Sequence, residues 1–428
     1  MTILIKDTTI LKSGKEDIIT GSIAIEDNII KYVGKIPDNF ISDTVIDGSN
    51  FIAMPGLVNS HTHSPMAILR NLADDLPFND WLFNKIIPVE NKLTEDDIYW
   101  GSLLGIMEMI KSGTTCFADM YLHMDSIIKA VCASGIRANL SLGFINSSIR
   151  ENNATIDPKN FETLINKLKY HPTIIPSMEA HSVYLLDRYS LMEISSLAKS
   201  LDIGIHIHLC ESESELSFSY EKYGCSPIQA TYNLQILDLP VIAAHCVKIK
   251  ENDIKILKEK NINIAHCPSS NLKLGNGIAP IKRLLDEGLN VCLGTDGSAS
   301  NNNLNMFEEM HITALIHKGI NQDPTCVPAT TVINMASING ANALGFKDVG
   351  KITPGYKADI ILINIKDQPH LHPINNIHSS IVYSIQSSDV DTVIVDGQIL
   401  MQNRSFTLLD EERIFYKVKE IFKKTKTL

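Results

Sequence analysis

The two ends of the chain share one pattern of hydrophobic and polar positions. Short β-branched runs alternate with turn residues near the N-terminus, at Thr2–Ile5, Ile23–Ile25 and Ile29–Val33, and again near the C-terminus, at Ala358–Ile365 and Val390–Val395. Such runs predict short strands. Because each half-sheet is too small to be stable alone, we expect the two halves to pair in one small β-sandwich, with the middle of the chain folding as an insertion.

The middle of the chain, from Phe51 to about Leu344, consists of apolar strands that end in polar clusters and are followed by helix-like stretches. This alternation is typical of a parallel α/β fold. The predicted strands are Val58–His63, Thr114–Tyr121, Arg137–Gly143, Thr173–His181, Gly204–Glu211, Pro240–His245, Asn261–His266 and Asn290–Asp296. Polar strand ends gather at the carboxyl rim of a closed barrel, so we predict a (β/α)8 TIM barrel, with a doubly wound sheet as the alternative. The predicted domains are 1–54, 55–346 and 347–428.

A long excursion separates the first two predicted barrel strands. It runs from Ser64 to Trp100 and is too long for a simple connection between a strand and a helix. We therefore expect it to cover the barrel mouth. At the other end of the chain, residues 410–428 place apolar side chains at helical spacing, which predicts a helix packed on its own protein.

Composition and charge narrow the classes of partner. The chain has 428 residues and a net charge of −11, with no compact Lys/Arg block before the last predicted helix, so neither a nucleic acid nor an anionic membrane is expected as a partner. The eight cysteines are scattered without a C-x-x-C pair, which indicates reduced thiols. The sequence has no signal-peptide pattern and no apolar run near the ~20 residues of a membrane span, so we expect a cytoplasmic protein.

Histidines and an aspartate at predicted strand ends are the candidate chemistry. His61 and His63 are two apart on one strand, so both imidazoles can face the barrel axis. His208, His245 and Asp296 end other predicted strands at the same rim. Three imidazole nitrogens and one carboxylate suit Zn²⁺ or Fe²⁺ and leave a position for water.

The fifth predicted strand offers two histidines, and their same-face spacing does not separate them. We choose His208 as the candidate ligand because it lies nearer the carboxyl end of the strand, and we expect His206 to pack in a lower layer of the barrel. Asp296 lies between glycines in Gly294–Gly297. An aspartate that closes an apolar strand is costly unless it is paired.

Several motifs resemble the amidohydrolase superfamily. They are P-G-L-V-N-S-H-T-H at 55–63, H-L-C-E at 208–211, A-H-C at 244–246, S-N-L-K-L-G-N-G at 270–277, G-T-D-G at 294–297 and G-K-I-T-P-G-Y-K-A-D at 350–359. More narrowly, the chain resembles the branch that deaminates 5′-methylthioadenosine and S-adenosylhomocysteine, whose relatives include guanine and triazine hydrolases. The resemblance covers nearly the whole chain.

The resemblance implies a ligand set and a mechanism. It assigns one divalent metal ion, Zn²⁺ in preference to Fe²⁺, to four side chains: His61, His63, His208 and Asp296. The fourth predicted strand carries no lysine of the kind that bridges two metals in other branches, so one ion is expected. The resemblance further implies that Glu211 donates a proton to the purine ring, that His245 orients the attacking hydroxide, and that Asp296 takes the proton of the water.

The resemblance also implies substrate contacts. Glu90 matches the position that holds the ribose hydroxyls in the adenosine-type branch, and His181 matches a substrate contact. Relatives that handle S-adenosylhomocysteine can bind its carboxylate with arginines after the third strand, where this chain has Leu142. The arginine nearby is Arg150, which is either an anchor for that carboxylate or a solvated loop residue. The surroundings of Trp81 offer an apolar slot for a methylthio tail. We expect 5′-methylthioadenosine to be favoured.

Other functions remain open from the sequence. The same ligands could serve guanine, a pterin, a cytosine-type ring or a chlorinated triazine, and Glu90 is the discriminator because only a nucleoside carries a ribose. A barrel that has lost catalysis and acts as an assembly protein is the alternative outside the enzymes, but such a protein is expected to lose its ligands. The sequence predicts a small-molecule partner and leaves a homo-oligomer open.

Overall fold

The structure, a computed structural model, describes residues 1–16, 18–143 and 158–426. The strands are β1 Thr2–Leu11, β2 Ile18–Glu26, β3 Ile29–Gly34, β4 Thr44–Asp47, β5 Phe51–Pro55, β6 Leu57–Thr62, β7 Thr114–Met120, β8 Arg137–Leu142, β9 Ile174–Glu179, β10 Gly204–Leu209, β11 Val241–His245, β12 Asn263–His266, β13 Val291–Leu293, β14 Ile360–Asn364, β15 Val390–Val395, β16 Gln398–Gln402 and β17 Ser405–Phe406.

The α-helices follow most of the central strands. They are α1 Ile87–Glu90, α2 Glu95–Lys111, α3 Met124–Ser134, α4 Pro158–Leu168, α5 Arg188–Ser200, α6 Glu213–Tyr223, α7 Pro227–Asn233, α8 Glu251–Glu259, α9 Pro268–Lys273, α10 Ile281–Asp286, α11 Met306–Asn321, α12 Ala329–Met335, α13 Ile338–Ala343, α14 Ile377–Tyr383 and α15 Glu411–Lys426. Within the described ranges, no helix is both long enough and apolar enough to span a bilayer.

The central sheet is a parallel barrel. Its strands β6 to β13 pair in sequence order, and most are buried along their whole length, as expected of parallel strands covered on both faces. At the seam between β13 and β6, the backbone N–H of Asp296 donates to the carbonyl oxygen of His61 at 2.9 Å. A Cβ atom on Gly294 would lie 2.8 Å from the backbone nitrogen of His61, so glycine permits this approach. The predicted barrel is confirmed, and the doubly wound alternative is wrong.

The chain termini build a second sheet of nine strands. Its order is β17-β16-β15-β14-β5-β1-β2-β3, with β4 beside β1. Strand β5 pairs with β1 from the N-terminus and with β14 from the C-terminal part, so the two halves join as predicted. The sheet has its own buried core, which includes Ile5, Ile25 and Ile360. The exact domain limits stay a prediction.

Strand β1 contains a bulge and pairs with a different strand, β4 or β5, along each of its two parts. The register shifts between Ile5 and Thr8, and Asp7 between them has a φ of 56°. Before the bulge β1 pairs in parallel with β4, and after it β1 pairs in parallel with β5. The terminal strands thus form one continuous hydrogen-bonded sheet.

The excursion between β6 and α2 lies at the carboxyl rim of the barrel. It contains a π-helix, Asp80–Ile86, followed by α1. Trp81 is buried, and its indole N–H donates to the carbonyl oxygen of Ala299, in the loop after β13, at 3.3 Å. This contact fixes the excursion over the rim, in agreement with its predicted place at the barrel mouth.

A buried ion-pair cluster joins the other end of the barrel to the terminal sheet. Arg137 begins β8 and is 1% exposed. Its guanidinium binds Asp359 in a bidentate fashion, at 2.8 and 2.9 Å, and donates to Asp396 at 2.9 Å. The backbone N–H of Asp396 also donates to Asp359 at 2.8 Å. The cluster therefore satisfies the Asp359 carboxylate from both sheets.

We expect Asp359→Ala to lower the free energy of unfolding by about 3 kcal/mol. The substitution removes the bidentate partner of Arg137, so the positive charge of the buried guanidinium is no longer fully paired. The shift of the urea midpoint at constant slope measures this loss. The control is Lys258→Ala, which breaks an exposed ion pair with Glu287 and should leave the midpoint nearly unchanged. Equal midpoints for the two variants would contradict a joining role for the cluster.

Candidate active site and metal centre

The four predicted metal ligands lie together at the carboxyl rim. His61 and His63 stand on the same side of the end of β6, and their Nε2 atoms are 3.5 and 3.3 Å from Asp296 Oδ1. His208, near the end of β10, places its Nε2 3.2 Å from Nε2 of His63. All four side chains are buried.

The hydrogen bonds behind these ligands leave lone pairs facing the centre. Nδ1 of His63 lies 2.6 Å from the carbonyl oxygen of Met120, and Nδ1 of His208 lies 2.9 Å from that of His181. A carbonyl oxygen only accepts, so each Nδ1 carries a proton, and in the neutral ring each Nε2 presents a lone pair that can bind a cation.

The chemistry of this donor set fits a divalent metal ion. Two acceptor nitrogens, those of His63 and His208, face each other at 3.2 Å, which is unfavourable without a positive charge between them. Nε2 of His61 is buried and makes no hydrogen bond with any part of the chain that the structure describes. Two groups of ligand atoms with metal-binding spacing occur here, one formed by His61, His63 and Asp296, the other by His61, His208 and His245.

The geometry favours His208 over His206 as the ligand. Both side chains point into the barrel, as their spacing allows, but His206 lies one layer lower. Its Nε2 is 2.9 Å from Nδ1 of His61, so it contacts the back of a candidate ligand. This is the packed position that the sequence analysis assigned to it.

The carboxylate of Asp296 is oriented by its own loop and by Ser270 of α9. The hydroxyls of Ser270 and Ser300 donate to Oδ2 at 2.6 and 2.8 Å, and the backbone N–H of Gly297 donates to Oδ1 at 2.7 Å. Oδ1 is also the oxygen nearest His61 and His63. The aspartate is therefore held with Oδ1 toward the centre of the cluster.

Glu211 lies beside the cluster and is suited to donate a proton. It is 4% exposed, and the amide of Asn276 donates to its Oε1 at 3.0 Å. Burial, reinforced by the negative charge of Asp296, raises the pKa of Glu211 to about 8. A carboxyl group with this pKa is mostly protonated at neutral pH.

His245 ends β11 and completes the group. Its Nδ1 lies 2.9 Å from Oδ1 of Asn271, so it donates there, and its Nε2 lies 3.9 Å from Oε2 of Glu211. Burial lowers the pKa of His245. The neutral ring thus turns an acceptor nitrogen toward the site.

A pocket opens next to these side chains, and the predicted substrate contacts line it. Trp81, Glu90 and His181 all form part of its wall, together with Glu211 and His245. Glu90 is 2% exposed, so the carboxylate is not the solvated helix residue that its sequence position alone would indicate. Arg150 lies outside the described residues, and its predicted contact with a substrate carboxylate stays a prediction.

Sequence reasoning missed several residues of the site. Glu179, Tyr121 and Tyr184 line the pocket, while Asn271 and Asn276 orient His245 and Glu211. Their positions carried a signal, because Glu179 ends β9 and both asparagines fall in the 270–277 motif. No spacing rule, however, connects those positions to a particular partner.

Comparisons with known proteins agree with this geometry. The pattern of the amidohydrolase family matches residues 52–400. A 5-methylthioadenosine/S-adenosylhomocysteine deaminase of Acetivibrio thermocellus is 49% identical over 99% of each chain, and a 5′-deoxyadenosine deaminase of Methanocaldococcus jannaschii is 46% identical over 94% of this chain and 95% of the relative.

A solved structure extends the likeness to three dimensions. The crystal structure of an adenosine deaminase from Xanthomonas campestris with bound zinc superposes with a TM-score of 0.94 at 28% identity, covering 100% of this chain and 99% of the other. Family pattern, full-length relatives and superposition agree along the chain, which belongs to the amidohydrolase family.

Proposed function

We propose that the chain is a hydrolytic deaminase of adenosine-type nucleosides that carry a 5′ thioether, 5′-methylthioadenosine and S-adenosylhomocysteine, with the former favoured. The net reaction is purine amine plus water to purine-oxo product plus ammonia. The observation that carries the proposal is a buried carboxyl group with a raised pKa, Glu211, next to a cluster of three histidines and one aspartate in a pocket that also contains Glu90. The names of the relatives at 49% and 46% identity support it.

The proposed metal is one zinc ion per chain, held by His61, His63, His208 and Asp296, with iron as the alternative. The zinc in the Xanthomonas campestris structure supports this choice. When bound, such an ion would supply an activated water by lowering its pKa to about 7.

The protein side chains then move the protons. Asp296 accepts the proton of the water that attacks C6, and later passes it to the departing amine. Glu211 gives its proton to N1 of the purine, which makes C6 electrophilic enough for attack. When the amine leaves and the C6 oxo group forms, the proton of the added hydroxyl returns to Glu211, which restores the acid. His245 hydrogen-bonds the attacking water through the Nε2 that faces the site.

The substrate contacts distinguish the proposed reaction from others in the family. Glu90 would hold the ribose hydroxyls, His181 would contact the ring, and Trp81 with its neighbour Phe78 would pack on the 5′ tail. The likenesses to a triazine hydrolase and a guanine deaminase, at 24% and 22% identity, extend to the fold alone. Ammonia release from 5′-methylthioadenosine, S-adenosylhomocysteine, adenosine, guanine and a triazine tests the proposal, and activity on the last two alone would overturn it.

We expect Glu211→Gln to retain the metal and lose at least about 100-fold in kcat, the usual size of a general acid/base contribution. Metal analysis and steady-state kinetics on 5′-methylthioadenosine measure the two effects separately. The matched control is Glu213→Gln, three-quarters exposed at its side chain on α6, which should behave like the parent. A kcat near that of the parent would remove Glu211 from the proton transfer.

We expect His208→Ala to lose most of the bound metal, because it deletes a ligand, whereas His206→Ala should still bind the metal at micromolar protein concentration. Elemental analysis of both proteins after equilibration with one equivalent of Zn²⁺ makes the comparison. If the two results were exchanged, His206 would be the ligand.

We expect Glu90→Ala to lower kcat/KM for 5′-methylthioadenosine. The loss should correspond to about 1.5–3 kcal/mol of transition-state stabilisation, the usual cost of losing charged hydrogen bonds. The 2′-deoxy analogue should be a poor substrate of the parent enzyme and should lose little more in the variant. Equal rates of the parent enzyme on the ribose and deoxyribose compounds would favour a base or triazine substrate instead.

A further inference from the structure

A chain of hydrogen bonds runs from the back of His61 through the core of the barrel. Nδ1 of His61 lies 2.9 Å from Nε2 of His206, and Nδ1 of His206 lies 3.1 Å from the hydroxyl of Ser141. Ser141 contacts the hydroxyl of Ser177 at 2.9 Å, and Ser177 contacts Oδ1 of Asn139 at 2.7 Å. All five side chains are at most 5% exposed, so water does not compete for these contacts.

The chain ends at a group that can only accept. The amide nitrogen of Asn139 is 3.1 Å from the backbone carbonyl oxygen of Leu344, which follows α13. Because a carbonyl has no proton, the NH2 of Asn139 must face it, and Oδ1 of Asn139 is then the atom that faces Ser177. The orientation of this amide is therefore fixed by the backbone.

The remaining proton positions follow one after another. The hydroxyl of Ser177 donates its single proton to Oδ1 of Asn139, so the hydroxyl of Ser141 must donate to that of Ser177. The proton of Ser141 is then used as well, so Nδ1 of His206 must donate to Ser141. A buried imidazole without an opposing charge is neutral and carries one proton, so Nε2 of His206 is an acceptor.

The last proton position to be assigned is that of His61, the candidate ligand at the carboxyl rim. An acceptor at Nε2 of His206 requires a proton on Nδ1 of His61, and Nε2 of His61 is then the lone pair that faces Asp296. For His63 and His208 a single carbonyl oxygen has the same effect. His61 lies deeper in the barrel, and side chains of three other strands replace the carbonyl.

We propose that His206, Ser141, Ser177 and Asn139 form a tautomer relay, in which the backbone carbonyl of Leu344 fixes the protonation of His61 and so prepares its Nε2 to bind the metal ion. The four are positioning residues and contact neither substrate nor metal. The inference rests on the metal site of the proposed function. It adds a second role for β8 and β9, which supply Asn139, Ser141 and Ser177 to the interior.

The test measures metal affinity and not activity. The metal-free forms of the parent protein, His206→Phe, His206→Gln and Ser141→Ala compete with a chelator for Zn²⁺. Phenylalanine keeps a ring but has no acceptor, whereas glutamine can accept from His61 through its oxygen and donate to Ser141 through its nitrogen. Ser102→Ala is the control, because Ser102 is an equally buried serine bonded to a backbone carbonyl in α2, away from the relay.

We expect His206→Phe and Ser141→Ala to bind Zn²⁺ about 10–100-fold more weakly than the parent, the usual cost of losing an outer-sphere partner. His206→Gln should recover most of the affinity, and Ser102→Ala should match the parent. Such weakening still permits loading at micromolar protein, as expected above for His206→Ala. In ¹⁵N spectra of the metal-free parent, His61 should have its proton on Nδ1, and in His206→Phe this preference should be lost.

Three results would overturn the relay. They are parent-like affinity in His206→Phe, parent-like affinity in Ser141→Ala, and failure of His206→Gln to recover affinity, which would indicate a steric role for the ring. A parent protein that binds no Zn²⁺ at all would instead refute the proposed function, so the two failures are distinguishable.

Discussion

The rim of this barrel depends on one backbone hydrogen bond at its seam, from the N–H of Asp296 to the carbonyl oxygen of His61. His61 lies in the first barrel strand and Asp296 follows the last one, and Gly294 allows the chain to approach His61 without a side chain between them. The bond places the Asp296 carboxylate next to both histidines of β6. The metal cluster therefore exists only when the barrel is closed, which couples the candidate chemistry to the completed fold.

The fold could be predicted because its signals are local and repeated. Each barrel strand is a short apolar run with a polar end, and the observed β6 to β13 fall within a residue or two of the predicted limits for most strands. The terminal sheet was predictable because neither half could be stable alone. The bulge at Asp7 was not predicted, since it depends on how β1 pairs with its neighbouring strands.

The candidate site could be predicted only as far as strand ends and family motifs reach. The ligands and Glu211 lie at the rim because parallel strands align their carboxyl ends. The groups that orient them could not be derived. Ser270 and Asn271 lie in the short helix α9 and Asn276 lies in the loop after it, and packing decides which partners they contact. For His206, the sequence predicted a place in a lower layer of the barrel. Its contact with His61 could not be predicted, because it depends on the register of strands across the barrel.

Buried polar groups occur at both ends of the barrel, but their hydrogen-bond networks differ. At the amino end, Arg137, Asp359 and Asp396 compensate one another, so the network is closed and contributes to holding two sheets together. At the carboxyl rim, the outward atoms of the histidines and of Asp296 are also satisfied by protein groups, but their inward atoms converge on one point. A network that is complete except at its centre is suited to hold a cation there, and this asymmetry distinguishes a candidate binding site from a structural cluster of similar composition.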